Sequence, residues 1–487
     1  MPDLLTAFGL IAAVLTVSAL CSPLVERAPL SFPMIFLGLG VLLGPRVAGL
    51  LAVDSHDLAL ESIAAFNLAL VLFLDAVKLR FDQGARAWLV PMLVLGPGTL
   101  LTVAIVAGGA ALLFGTGVVP SLLIGAVLAP TDSVVLRDIV RDRRIPRPIR
   151  DTLSIEAGTN DIVVLPLVLV LIAIAQGQGG GAAEWIGFLG RLFLVGPAVG
   201  FAIGGFGSWL IGAVDARLPI RREYQALFGV GLVLAAYAAG QAVSGGGFIA
   251  AFTAGVAVVV LNRELCDCFF EYGEVTSEVA MLLAFVLFGA LLSALVDTVA
   301  LGSALLFAAL VIGVARPLAI SLVLARVSLS PQARAFMAWF GPRGLSSLLL
   351  ALLVVLGDVP DADRLLAVVG IVVIASVVVH GASATPLAAW YGRSVARTTL
   401  PEERESTASG LFGGMGDVGD GVPRVTPQEL TGFLTADDPP LVLDVRTRSQ
   451  YESDHTQIPD SVRVLPDDIA RWGAAQPFPR SVVAYCT

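Results

Sequence analysis

Thirteen stretches of this chain are apolar over about the length a bilayer-spanning helix needs, roughly 20 residues. They run Leu4–Leu20, Pro33–Gly49, Leu58–Val77, Ala87–Phe114, Val118–Leu136, Asp151–Ala175 and Trp185–Val214. The remaining six are Tyr224–Val243, Phe248–Leu261, Val279–Leu295, Thr298–Ala325, Ala333–Leu356 and Leu365–Tyr391. Of the 487 residues 56% are hydrophobic and 14% charged. Soluble domains carry about 25% charged residues, so a water-soluble globular fold is excluded, and so is disorder. The fold class that follows is an all-α polytopic membrane protein of about 13 transmembrane helices. The first stretch is not read as a signal peptide, because no basic residue precedes it and no cleavage motif follows.

Arginine placement tests the count. When the loops are numbered along the chain with the N-terminus outside, those on the opposite side hold 18 Lys and Arg residues. Those on the N-terminal side hold two, Arg46 and Arg364. That asymmetry fits the positive-inside rule and predicts an outside N-terminus and a cytoplasmic C-terminus. A soluble tail follows residues 1–400. Residues 401–422 read as a Gly/Ser/Glu-rich linker, and 423–487 as a small α/β segment. The segment shows strand-like Leu441–Val445 and Ser481–Tyr485 and a helical stretch near Asp467–Trp472. The net charge of −9 comes mostly from the tail and argues against a nucleic-acid partner. Four scattered cysteines exclude a disulfide scaffold.

Ionisable groups inside spans are costly and mark function by default. The candidates are Asp75, Asp132, Glu156, Asp161, Arg316 and Arg343. Asp75 lies near a helix end beside Lys78, where pairing or snorkelling suffices. Arg316 precedes Pro317 and can pair or reach the interface. Asp132 follows Ala129-Pro-Thr. Pro130 lacks a backbone donor and disfavours helix at the residue before it. A helix broken there frees backbone groups, with Thr131 adding a hydroxyl, and broken helices with mid-depth carboxylates are how transporters build cation sites. The alternative is a kink in which Asp132 caps the second half-helix. Glu156 and Asp161 stand five residues apart, roughly 140° around a helix. One is therefore expected to face the ion path and the other to serve structure, while Asn160 braces a broken helix through its amide.

Arg343, in Phe340-Gly-Pro-Arg-Gly-Leu-Ser-Ser347, marks a second interrupted span. It needs a partner, and Glu156 is the expected one, in a structural ion pair. The two interruptions fall in the fifth and twelfth spans. A seven-span offset reverses orientation, so spans one to six and eight to thirteen are expected to be inverted repeats around the binding site.

These residues resemble the NhaP-type monovalent cation:proton antiporters. The resemblance covers about residues 4–390. Its specific parts are Ala129-Pro-Thr-Asp132, Glu156 with Asn160-Asp161, and Arg343-Gly344. Phe32–Pro45 and Gly246–Gly255 support it. It implies a homodimer in the cell (inner) membrane, with a dimerisation domain and a six-helix core working by alternating access. Asp161 is then the principal carrier of cation and proton, with Asp132 and Thr131 shaping the site. Asn160, in place of a first aspartate, implies electroneutral exchange. No cofactor is implied beyond the transported H⁺ and Na⁺, with K⁺ or Li⁺ possible. One carboxylate holds either a proton or a cation, and an empty one cannot cross uncompensated. Transport should therefore fall at both low and high pH. Ala157 stands where the family commonly has Ser, so a hydroxyl ligand would have to come from Thr159 or water. A channel is disfavoured, because one carboxylate at a break suits single-ion binding.

In the tail, Leu441-Val-Leu-Asp-Val-Arg446, Tyr451-Glu and Ile458-Pro-Asp-Ser461 resemble a rhodanese-like domain. The resemblance implies that Cys486 is the sulfur-carrying nucleophile, in a loop that would lower its pKa. The chain stops at Thr487, so the expectation is half a domain with no sulfur transfer. A membrane-anchored sulfurtransferase or rhodanese-based sensor is the alternative function. Cys266-Asp-Cys268 is a weak metal signal, Cys21 a core residue, and His56 and His380 unremarkable unless they report pH.

Overall fold

The computed structural model describes residues 4–27, 31–78, 89–142, 144–177, 181–397, 425, 427–435, 439–453, 455–475 and 481–485. The helices are α1 (Leu4–Arg27), α2 (Phe32–Leu43), α3 (Leu58–Lys78), α4 (Leu89–Phe114), α5 (Val118–Val127), α6 (Ser133–Arg141), α7 (Arg147–Ala175) and α8 (Ala182–Asp215). There follow α9 (Arg222–Ala242), α10 (Gly247–Leu261), α11 (Arg263–Leu295), α12 (Leu301–Val323), α13 (Pro331–Trp339), α14 (Leu345–Leu356) and α15 (Ala362–Arg397). Among the described residues, eight helices are long and apolar enough to cross a membrane. Five shorter apolar helices, within α1, α2, α5, α10 and α14, fall in the five remaining apolar stretches. Two of them, α5 and α14, are short because each is half of an interrupted span.

The chain divides into two compact units. The first comprises Met1–Arg137, Ser154–Val323 and Ala338–Ser383, and the second Asp138–Leu153, Leu324–Met337 and Ala384–Thr487. The first unit is helical. Its core is Leu, Val, Phe and Ala from α3, α10, α11, α14 and α15. Large apolar residues on α8 and α9, such as Phe206, Trp209 and Leu227, face outward, as lipid-solvated helices allow. Where helices meet closely, glycine makes room. A Cβ on Gly200 or Gly204 of α8 would overlap the α10 backbone at Ala250 and Ala254, and one on Gly289 of α11 would overlap α2 at Leu37. This is small-residue packing, the usual substitute for hydrophobic drive in lipid.

Among the described residues, three helices contain a single π-helical turn, at Val94–Gly98, Arg191–Val195 and Val311–Ala315. Each holds or immediately precedes a proline-bearing turn, at Pro97, Pro197 and Pro317. Proline removes one backbone bond and crowds the preceding turn, and an inserted residue absorbs both effects.

In the second unit, the tail forms α16 (Pro427–Leu434), β1 (Leu441–Asp444), α17 (Arg448–Ser453), β2 (Val462–Arg463), α18 (Ile469–Ala474) and β3 (Val482–Tyr485). The strands make a parallel sheet in the order β2-β1-β3, with Leu443 opposite Val462 and Ala484. Leu443, Val445 and Val464 form its core against Ile469 and Trp472. Buried Asp444 accepts bonds from Arg446 and Arg463. Burial alone would raise its carboxyl, but those bonds and charges win and lower it to about 2. In the same unit Asp467 accepts the backbone N–H of Arg147, at the start of α7, and pairs with Arg448 at 3.0 Å. The linker 401–422, Cys486 and the side chains of Cys266 and Cys268 lie outside the described residues.

Candidate functional site

The two interrupted spans meet at their breaks. Residues 128–132 separate α5 from α6, and 340–344 separate α13 from α14. Backbone groups freed at one break are satisfied by the other. Asp132 N–H donates to the Pro342 carbonyl at 2.8 Å. The Arg343 guanidinium donates to the Ala129 and Pro130 carbonyls at 2.6 and 2.8 Å.

Asp132 serves both N-terminal half-helix ends. Its Oδ1 accepts from Val134 N–H of α6 and its Oδ2 from Leu345 N–H of α14, both at 2.7 Å. The capping role held open for Asp132 in the sequence is thus present, on two helices at once. The crossing can be this tight because Gly344 has no side chain: a Cβ there would overlap the Asp132 carboxylate.

The C-terminal half-helix ends carry the opposite partial charge and take the cations. Arg343 lies on the carbonyls just beyond α5. Arg316 of α12 donates to the Phe340 carbonyl just beyond α13, at 3.1 Å. Arg316 also forms the buried ion pair with Glu156, with Nη2 to Oε2 at 2.9 Å and a second contact between Nη1 and Oε1. The expected Glu156–Arg343 pair is corrected accordingly. Arg343 needs no carboxylate, because two carbonyls of the facing break receive it. The sequence had left Arg316 with no assigned partner.

Helix α7 carries the remaining groups. Asn160 Nδ2 donates to Thr131 Oγ1 at 2.7 Å and to the Thr131 carbonyl at 3.3 Å, so the amide braces the first break. Asp161 is 3% exposed. Its Oδ2 accepts the Ser346 hydroxyl at 2.6 Å, while Oδ1 is buried without a hydrogen-bond partner. Glu156 and Asp161 therefore face different partners, as their spacing predicts. Thr159 turns its hydroxyl to the Ile155 carbonyl of its own helix at 2.5 Å. Ser346, which the sequence left without a role, is the hydroxyl beside Asp161.

A cavity of about 60 Å³ is lined by Ser346 and Asp132, while Asp161 is not among its lining residues. Asp75 and Lys78 of α3, Arg137, Glu274, Glu278 and Leu345 also line it. Asp75 pairs with Lys78 at 3.5 Å. It is nonetheless only 3% exposed and lies against Gly158, one turn before Asp161, so it is a wall of the site as well as a helix-end charge. The arrangement offers one buried carboxylate oxygen with unused capacity, hydroxyls at Ser346 and Thr131, and a cavity with charged lining at Ser346. It suits reversible holding of one small cation or one proton.

Residues 13–390 match the model of the family described as sodium/hydrogen exchanger, transmembrane. Over 378 residues the chain is 28% identical to the K(+)/H(+) antiporter NhaP of Alkalimonas amylolytica, covering 76% of this chain and 64% of that protein. Over 391 residues it is 29% identical to the K(+)/H(+) antiporter NhaP2 of Shewanella oneidensis, covering 79% of this chain and 67% of that one. The chain thus spans about two thirds of the length of these curated relatives. The structure of the sodium proton antiporter MjNhaP1 from Methanocaldococcus jannaschii at pH 8 has the same fold. It aligns with a TM-score of 0.62 at 20% identity, over 80% of this chain and 100% of that one.

Proposed function

The chain belongs to the sodium/hydrogen exchanger family, as an NhaP-type member, and on that premise we propose that it exchanges a monovalent cation for H⁺ across the cell membrane. The observation that carries this is Asp161: a buried carboxylate with one oxygen on Ser346 and the other unpartnered. It stands beside a helix crossing whose dipoles are already neutralised. An unpaired carboxylate at low dielectric takes up a proton or a cation. Both cannot occupy it together, and this competition is the exchange.

In this reading Ser346 and Thr131 supply hydroxyl oxygens, the ligand type hard cations need. Asp75 supplies a second carboxylate from α3. Asn160 and Asp132 hold the breaks in place. Exchange is electroneutral, one cation for one proton, since Asp75 is balanced by Lys78 and Asp132 by two helix N-termini. Thirteen spans with the N-terminus outside, inverted repeats and a homodimer complete the proposal. It rests there on the arginine asymmetry and on family resemblance. The cavity beside Lys78 and Arg137 is then the cytoplasmic access route of an alternating-access cycle. Na⁺ and K⁺ are both candidates: the sequence relatives are named for K⁺ and the structural neighbour for Na⁺.

The test is dye-quench exchange in proteoliposomes, with apparent KM measured for Na⁺ and K⁺ at several pH values. Asp161→Asn is expected to abolish exchange, with a bell-shaped pH profile for the parent protein. Undiminished exchange by Asp161→Asn overturns the assignment, and strong dependence on membrane voltage overturns electroneutrality.

A further inference from the structure

Helix α15 holds the second break from behind. Ser376 and His380 are four residues apart and therefore share a face. Ser376 Oγ accepts the backbone N–H of Arg343 at 2.7 Å. His380 Nε2 lies 3.1 Å from the carbonyl of Trp339, the last residue of α13. The ring's Nδ1 lies 3.1 Å from Ser376 Oγ and 2.9 Å from the Ser376 carbonyl. Each ring nitrogen thus faces a carbonyl, which can only accept, so a neutral ring donates to one of the two, Trp339 O or Ser376 O. With the proton on Nε2, Nδ1 is the acceptor for the Ser376 hydroxyl, whose oxygen takes the Arg343 N–H. In that tautomer one continuous chain of bonds runs Arg343, Ser376, His380, Trp339 and spans the break from end to end.

Two further contacts fix the same place. Trp339 Nε1 donates to Ser383 Oγ at 3.0 Å, and the indole lies against the His380 ring with centroids 5.7 Å apart. Ser376, His380 and Arg343 are all buried. A broken helix inside a membrane must have its freed groups met by protein, and here one helix face meets both ends. What it holds still is the segment that presents Leu345 N–H to Asp132 and Ser346 to Asp161.

We propose that Ser376 and His380 are positioning residues for cation binding, acting through the second break and touching no ion themselves. This rests on the antiport reading above, and the measurement separates the two. Exchange of Na⁺ and K⁺ is followed in proteoliposomes for the full chain and for His380→Leu, His380→Gln and Ser376→Ala. Each variant is first checked for a monodisperse profile in detergent. Losing a buried hydrogen bond that orients a site is expected to cost roughly tenfold in apparent cation KM. His380→Leu and Ser376→Ala should show that rise, with maximal rate kept within about twofold. His380→Gln places an amide N–H near the Nε2 position and should recover most of the KM.

An unchanged KM in Ser376→Ala overturns the proposal, and that variant decides alone if His380→Leu is not recovered folded. A His380→Gln as impaired as His380→Leu also overturns it, since the ring would then be packing only. So does a loss confined to maximal rate. If the parent chain moves neither cation, it is the antiport reading that fails.

Discussion

Replacing Arg316 by methionine removes one partner of the most deeply buried ion pair among the described residues of the first unit. Arg316 is 4% exposed and Glu156 2%. The guanidinium grips both carboxylate oxygens and also donates to Phe340 O. Breaking such a pair by removing one member costs about 3–5 kcal/mol, because the other charge stays buried without a partner. Arg316→Met should therefore cost about 4 kcal/mol, and Glu156→Met a similar amount. Replacing both removes the stranded charge. What remains is a Phe340 carbonyl without that donor, worth about 1–3 kcal/mol.

The double variant should thus be more stable than either single one, a coupling of several kcal/mol. The assay is equilibrium unfolding in mild detergent, compared across the full mutant cycle. A second cycle pairs Glu156→Met with Arg343→Met. Arg343 donates to backbone carbonyls rather than to a carboxylate, so its coupling to Glu156 should be the smaller. Equal or larger coupling in the Arg343 cycle would refute the assignment of the cations to the two C-terminal half-helix ends.

Gly344→Ala should abolish exchange in proteoliposomes, since a Cβ there overlaps the Asp132 carboxylate; retained exchange would mean the crossing is looser than its hydrogen bonds indicate. Ser346→Ala should raise the apparent cation KM roughly tenfold or more, as a bond to a charged group is worth about 1.5–3 kcal/mol. Thr159→Ala should stay within about twofold, because its hydroxyl is spent on Ile155 O, and the same transport assay compares the two. In the tail, the carboxyl of Asp444 lies at about 2, below its ordinary 3.8. Its contribution, on the order of 2 kcal/mol, is complete above about pH 4 and lost as pH falls through 2. Hydrogen exchange of residues 441–485 should show protection fading over that window, and Asp444→Asn should remove the pH dependence.

The helical stretches were legible because lipid leaves a helix few alternatives: every backbone group must be met inside the segment. For the same reason both breaks were legible. Pro130 and Gly341-Pro342 disfavour helix at the residues before them, and a charge beside each marked a place where freed groups are used. Asn160 is expected to brace a broken helix through its amide, and the residue its Nδ2 meets is Thr131. The tail's first and last strands and its last helix were readable from short apolar runs, whereas the two-residue β2 gave no pattern to read.

The partners across the breaks were not legible, and the reason is physical. Sequence shows which residues are charged but not which backbone dipoles converge on them. Arg343 was expected on Glu156 because a buried cation must be paired and the acids were the visible candidates. The structure brings four half-helix ends together, two presenting N–H groups and two presenting carbonyls. Asp132 meets the first two, and Arg343 and Arg316 meet the others. With one carboxylate against two N-termini and two cations against two C-termini, the crossing carries one excess positive charge, which Glu156 cancels through Arg316. Every fixed charge at the crossing then has its counterpart in place. Asp161 alone among these carboxylates retains an oxygen with no hydrogen-bond partner. In the proposed reading it is the group whose charge is answered from outside the protein, by a proton or by a cation.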